Sequence, residues 1–211
     1  KIGKFQISNN NIPYIIAEIG VNHEGSIKKA LKMIDMCKRG GAHAVKFQSY
    51  KADKIASKFS PSYWDLKKEK ITSQYELFKK YDSFTDEDYH KLYNYCKKKQ
   101  IDFLSTPFDD DAVSFLKNKV PLFKIASADI TNYPLLRKIA KTRKPIILST
   151  GASTKIEIKH AIDILNKYGC VDSKIILLHC ILNYPTSDEN ANLMMIKDLI
   201  KVFPNNMVGY S

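Results

Sequence analysis

Arginine is scarce in this chain. Only Arg39, Arg137 and Arg143 stand among its 34 basic residues, although 22 acidic residues leave a formal net charge of +12. Reading of base edges and bidentate capture of phosphate depend on guanidinium forks. No basic block here is interleaved with aromatics in the way a single-strand groove requires. A nucleic-acid partner is therefore not expected, and lysines such as Lys28, Lys29 and Lys32 or Lys97, Lys98 and Lys99 read as solvated helix faces. The surplus charge still draws in small anions, an effect that salt screens. No C-x-x-C pair occurs. The four cysteines, Cys37, Cys96, Cys170 and Cys180, each lie in a hydrophobic stretch and are expected to be reduced and structural. No apolar run approaches the roughly 18 residues of a membrane helix, and Lys1 to Lys4 lead into no signal core, so a cytoplasmic protein with no membrane partner is expected. Eight glycines and eight prolines in 211 residues exclude collagen-like and low-complexity readings.

What the sequence does contain is a regular alternation. Short β-branched or apolar runs at 14–17, 42–47, 101–104, 122–125, 145–148, 175–178 and 207–210 are separated by amphipathic stretches of helical length. One of these helices, opening after Thr154 with the capping pair Thr154 and Glu157, is expected to close near Gly169. Strands of near-continuous apolar character demand a parallel sheet covered by helices. An open doubly wound sheet would announce a phosphate site with G-x-G-x-x-G, and Glu18-Ile19-Gly20-Val21-Asn22-His23-Glu24-Gly25 does not fit it. Polar residues cluster instead after every strand, which predicts an α/β fold of the (β/α)8 TIM-barrel type. Residues 1–211 are expected to form this barrel domain without its eighth strand, with a hairpin over about 1–12 turning at Asn9 to Asn11. The stretch 50–83 is too long for an ordinary connection and reads as a lid.

The first polar residues after each strand are Glu18; Lys46 and Gln48; Ser105 and Thr106; Lys124, Ser127 and Asp129; Ser149 and Thr150; His179, Asn183 and Tyr184; and Ser211. Two lysines among several hydroxyls suit a small dianion bearing carboxylate and phosphate. Glu18 is a candidate acid or base, and Gln48 and Tyr184 suit the hydroxyls of a polyol. His179 reads more readily as a satisfied core group. Two other readings compete: an aldolase working through a Schiff base on Lys46 or Lys124, and a basic module that binds sugar phosphates or nucleic acid.

Read in order, IAEIGVNH at 16–23, AVKFQ at 44–48, LSTPFD at 104–109, KIAS at 124–127, LSTG at 148–151, LHC at 178–180 with YPT at 184–186, and GYS at 209–211 resemble successive motifs of the sialic acid synthase family. That resemblance implies a TIM barrel followed by a small antifreeze-like domain. It implies condensation of phosphoenolpyruvate with an N-acetylated amino-sugar to give a nine-carbon 2-keto acid and phosphate. Lys46, Thr106, Lys124, Ser127, Ser149 and Ser211 would hold phosphoenolpyruvate, while Glu18, Gln48, Phe108 and Tyr184 would face the sugar or the attacking water. A divalent metal, manganese or magnesium, would be bound by two histidines expected beyond Ser211, and the full-length enzyme would be a homodimer. Asp129 stands in for the family's usual acidic position after Lys-Ile-x-Ser, and Leu182 with Asn183 for the asparagine before Tyr-Pro. Both departures fall on the sugar side and leave N-acetylmannosamine and a diacetylated 6-deoxy sugar as alternatives.

Overall fold

The computed structural model describes residues 2–3, 5–8 and 11–211. The chain divides into two compact units, residues 14–120 and residues 121–211 together with 1–13.

The first unit carries a three-stranded parallel sheet in the order β1 (Ile16–Gly20), β2 (Ala44–Ser49) and β3 (Asp102–Pro107). Helix α1 (Ile27–Arg39) follows β1, capped by Ser26, whose hydroxyl accepts from Lys29 N–H, and ended by Lys38 and Arg39 where cations oppose the helix dipole. Its buried Ala30 and Ile34 lie one turn apart. After β2 come α2 (Ala52–Ile55) and α3 (Gln74–Tyr81). The long segment that the sequence marks as a lid thus contains two helices, with an antiparallel bridge between Pro61 and Ser73 and the Trp64 indole donating to Ile71 O. Helix α4 (Asp86–Lys99) begins with a reciprocal cap in which Thr85 and Asp88 satisfy each other's backbone N–H. Helix α5 (Asp110–Leu116) follows β3.

The second unit has a four-stranded parallel sheet in the order β4 (Phe123–Ile125), β5 (Ile146–Ser149), β6 (Ile175–His179) and β7 (Met207–Tyr210). Helices α6 (Tyr133–Ala140), α7 (Lys155–Lys167) and α8 (Met195–Val202) separate successive strands. The expected pairing of Thr154 with Glu157 caps α7. The apolar faces of α6 and α7, including Leu136, Ile139, Ala161 and Leu165, are fully buried, so truncating one of the leucines to alanine would cost about 2–5 kcal/mol.

Several strands run further than their apolar runs suggest. β2 extends through Gln48 and Ser49, and β3 through Ser105 and Thr106. These polar residues find partners across the sheet: Ser49 and Ser105 share a 2.7 Å hydrogen bond on one face, and Thr106 meets Lys46 on the other. At the N-terminus, Ile2 and Phe5 bridge each other antiparallel. The Asn9–Asn10 part of the expected hairpin turn lies outside the described residues. No helix among the described residues is long and apolar enough to cross a membrane.

Candidate functional site

Each unit gathers charged and hydroxyl side chains where its parallel strands end. In the first unit the period of two places Lys46 and Gln48 on one face of β2, opposite Leu104 and Thr106 of β3, and register sets Glu18 of β1 beside Lys46. The Lys46 ammonium forms an ion pair with the Glu18 carboxylate and lies 3.4 Å from Thr106 Oγ1. A register shift between Glu18 and Gly20 bends the end of β1. Gly20 takes φ +55°, and a β-carbon there would stand 3.3 Å from Glu18 Oε1 and 3.7 Å from Gln48 Nε2. Glu18 and Gln48 therefore crowd the same small space. The Gln48 carbonyl accepts a 2.5 Å bond from Tyr89 of α4, which fixes the strand end from behind. Phe108 donates its N–H to Ser49 O, and its ring packs edge-on against Tyr50.

Beside this cluster, the turn after β1 buries His23 face to face with Phe84, ring centres 3.9 Å apart. His23 Nδ1 accepts from Gly25 N–H at 3.1 Å. Burial, reinforced by the charge on Lys29, pushes its pKa down to about 4, so the ring is neutral at physiological pH and serves as an acceptor. His23 falls in the IAEIGVNH motif, where its sequence neighbours assign it no role; its packing against Phe84 gives it one.

The second unit is organised around Lys124, which is buried. Its ammonium donates to Ile125 O at 2.9 Å and to Ser149 Oγ at 2.5 Å. Ser127 Oγ accepts from Gly151 N–H at 2.9 Å. Asp129 lies close enough for the Lys124 charge to pull its carboxyl down. Burial is the larger influence and sets the net direction upward, although the Asn132 amide also donates to Oδ1. Among the described residues, Asp129 Oδ2 is the buried side-chain oxygen without a hydrogen-bond partner.

Other expected site residues stand differently. Ser105 turns to Ser49 rather than to Lys46, and so leaves the polar face. Thr150 binds back to Leu178 O. His179 is a satisfied core group whose Nε2 bonds Ala191 O at 2.8 Å. Asn183 and Tyr184 stand exposed on the loop after β6, with Tyr184 at 91% of its full exposure, and a cis peptide joins Tyr184 to Pro185. Ser211 is exposed and anchored through its N–H to His179 O. Cys180, expected to be merely structural, lies half-buried with its sulfur 3.4 Å from Ser127 Oγ. All four cysteines are free thiols, and burial pushes Cys96 up to about 12 and Cys170 up to about 11. No three His, Cys, Asp or Glu side chains converge among the described residues, so these residues do not by themselves make a metal site.

Parallel strands alternating with helices, with chemistry collected at the strand ends, define the α/β-barrel class. A sialic acid synthetase structure from Leptospira borgpetersenii is similar at a TM-score of 0.84 and 34% identity, covering 100% of this chain and 68% of that one. The chain belongs to the NeuB family, which it matches over residues 33–211. It is 42% identical to the N,N'-diacetyllegionaminic acid synthase of Campylobacter jejuni, over 93% of this chain and 59% of that protein. It is 37% identical to the N-acetylneuraminate-9-phosphate synthase of Drosophila melanogaster, over 94% of this chain and 53% of that protein. The chain thus spans just over half the length of these curated relatives.

Proposed function

We propose that this chain carries the barrel of a synthase that joins phosphoenolpyruvate to an N-acetylated amino-sugar, forming a nine-carbon 2-keto acid and inorganic phosphate. The observation that carries this reading is Lys124. A buried ammonium already ordered by a hydroxyl and a backbone carbonyl is a preformed anion site, and such a site lowers the cost of orienting a carboxylate and a phosphate. Family membership supports it, as do the sugar-acid synthase names of two relatives.

In the proposed reaction, C3 of phosphoenolpyruvate attacks the aldehyde carbon of the open-chain sugar. The new C–C bond takes the enol electron pair, and the aldehyde oxygen becomes a hydroxyl by gaining a proton. Water adds at C2, where positive charge develops, and loses a proton. The resulting hemiketal phosphate then collapses to the 2-keto acid with loss of phosphate. In the second unit, Lys124, Ser149 and Ser127 hold anionic oxygens. Taken by itself, the first unit offers Lys46 and Thr106 as donors, Glu18 as a carboxylate suited to the proton of water or sugar, and Gln48 as a partner for a sugar hydroxyl. The metal that the family resemblance brings would activate the aldehyde; no step assigned to these residues runs through it.

The two relatives' names point to different sugars, a 9-phosphorylated neuraminate and a diacetylated legionaminate. Mass spectrometry of the product formed from phosphoenolpyruvate and a panel of N-acetylated hexosamines tests the reading. A nine-carbon acid formed with stoichiometric phosphate release is expected. A borohydride-trapped lysine adduct with pyruvate, with no phosphate released, would replace it by the Schiff-base aldolase.

A further inference from the structure

Three strand-end segments of the second unit meet at Gly151. Ser127 follows β4, Gly151 follows β5, and Cys180 follows β6. Gly151 N–H donates to Ser127 Oγ at 2.9 Å, and Cys180 Sγ approaches the same oxygen to 3.4 Å while lying 3.7 Å from Leu178 O. The junction has no spare volume. A β-carbon on Gly151 would fall 3.0 Å from Ser127 Oγ, 3.0 Å from Leu182 Cδ2 and 3.2 Å from Cys180 Sγ.

We propose that position 180 must hold a weak hydrogen-bonding group: the sulfur of Cys180 leaves the Ser127 hydroxyl proton free to turn to the anionic substrate, where a hydroxyl would capture it. The proposal rests on the reading of Ser127 as a ligand of that anion. Gly151 N–H occupies one lone pair of Ser127 Oγ and fixes the oxygen in place. What remains to be decided is where the hydroxyl hydrogen goes. A thiol is a weak donor and its sulfur a weak acceptor, so Cys180 fills the space beside Ser127 without holding that hydrogen. A hydroxyl in the same position would form a much better O–H···O bond and compete with the ligand.

The test measures dissociation constants for phosphoenolpyruvate and for inorganic phosphate by calorimetry, with kcat, KM and thermal midpoint, on the full chain and its variants. Cys180→Ala should leave phosphoenolpyruvate affinity within about 2-fold, whereas Cys180→Ser, though nearly isosteric, should weaken it about 5- to 10-fold through KM rather than kcat. Because the serine acts only through Ser127, adding Cys180→Ser to Ser127→Ala should cost nothing further. A side chain that merely fills space predicts the reverse order, with alanine worse than serine in both stability and affinity. That result, or additive losses in the double variant, would overturn the proposal. Independently of any ligand, Ser127→Ala should change the rate of Cys180 alkylation by iodoacetamide about 3-fold or more and leave Cys170 unaffected; no change would also overturn it. If phosphate affinity follows position 180 but phosphoenolpyruvate does not bind, the substrate assignment falls and the requirement for a weak hydrogen-bonding group at position 180 stands. Phosphoenolpyruvate binding that ignores position 180 has the opposite meaning.

Discussion

Lys46 and Lys124 are the same side chain at the end of two parallel strands, yet the two units treat them differently. Lys46 is paired directly with Glu18, whose side chain is 45% exposed. Lys124 is buried and donates to a hydroxyl and a carbonyl, with Asp129 within electrostatic reach. The pair of Lys46 with Glu18 meets water mainly through its carboxylate, the Lys46 side chain being only 13% exposed, so the lysine charge is already answered by an opposite charge that solvent can reach. The Lys124 ammonium is ordered by the Ser149 hydroxyl and the Ile125 carbonyl before any ligand arrives, which suits it to gripping an anion. The first arrangement suits proton handling and the second suits binding.

The largest expected effect comes from removing the buried charge. Lys124→Met should raise the phosphoenolpyruvate requirement about 100-fold, the equivalent of one or two charge-assisted hydrogen bonds, while thermal melting shifts by only a few degrees. Titration of initial rate against phosphoenolpyruvate checks this, and an unchanged KM would put the anion site elsewhere. Next, Glu18→Gln should lower kcat about 10- to 100-fold with little change in that KM, in keeping with a general acid or base rather than a binding group. Equal losses in both lysine-centred clusters would erase the contrast between them.

Gly151→Ala tests how rigid the second unit is. Its added carbon meets Ser127, Leu182 and Cys180 at 3.0–3.2 Å, and a loss of about 1–3 kcal/mol in denaturant unfolding is expected. The smallest effect belongs to Asp129. Its folded-state pKa is raised, so the carboxyl favours folding most when protonated, below the ordinary carboxylate pKa of about 3.9, and that advantage disappears as pH rises through the folded value. Asp129→Asn should therefore stabilise the protein slightly at pH 7, by less than about 1 kcal/mol, with the gain shrinking as pH falls toward 3. Urea melts at the two pH values decide it, and a gain that grows on acidification would reverse the assigned shift.

Much of this was legible in the residues. Apolar runs located all seven strands, and the Thr154 and Glu157 pair located the start of α7 to the residue. Strand ends were less legible, because Gln48, Ser49, Ser105 and Thr106 look like loop residues until their partners across the sheet are known. Among the polar candidates, alternation alone separates Ser105 from Thr106, and only once the strand is seen to continue through both. Cys180 and His23 were the least legible. Nothing local distinguishes a packing thiol from one beside a serine, or a surface histidine from one stacked on Phe84.

The sequence by itself determined the repeating strand-and-helix order, the helix caps and the choice of lysines and hydroxyls at the strand ends, since periodicity and capping are written in residues a few positions apart. The tertiary structure alone decided which of those groups touch. The pairing of Lys46 with Glu18 spans 28 residues, that of Lys124 with Ser149 spans 25, and that of Ser127 with Cys180 spans 53. Contacts across such separations depend on strand register and packing, and these give Lys46 a carboxylate partner and Lys124 a hydroxyl and a carbonyl.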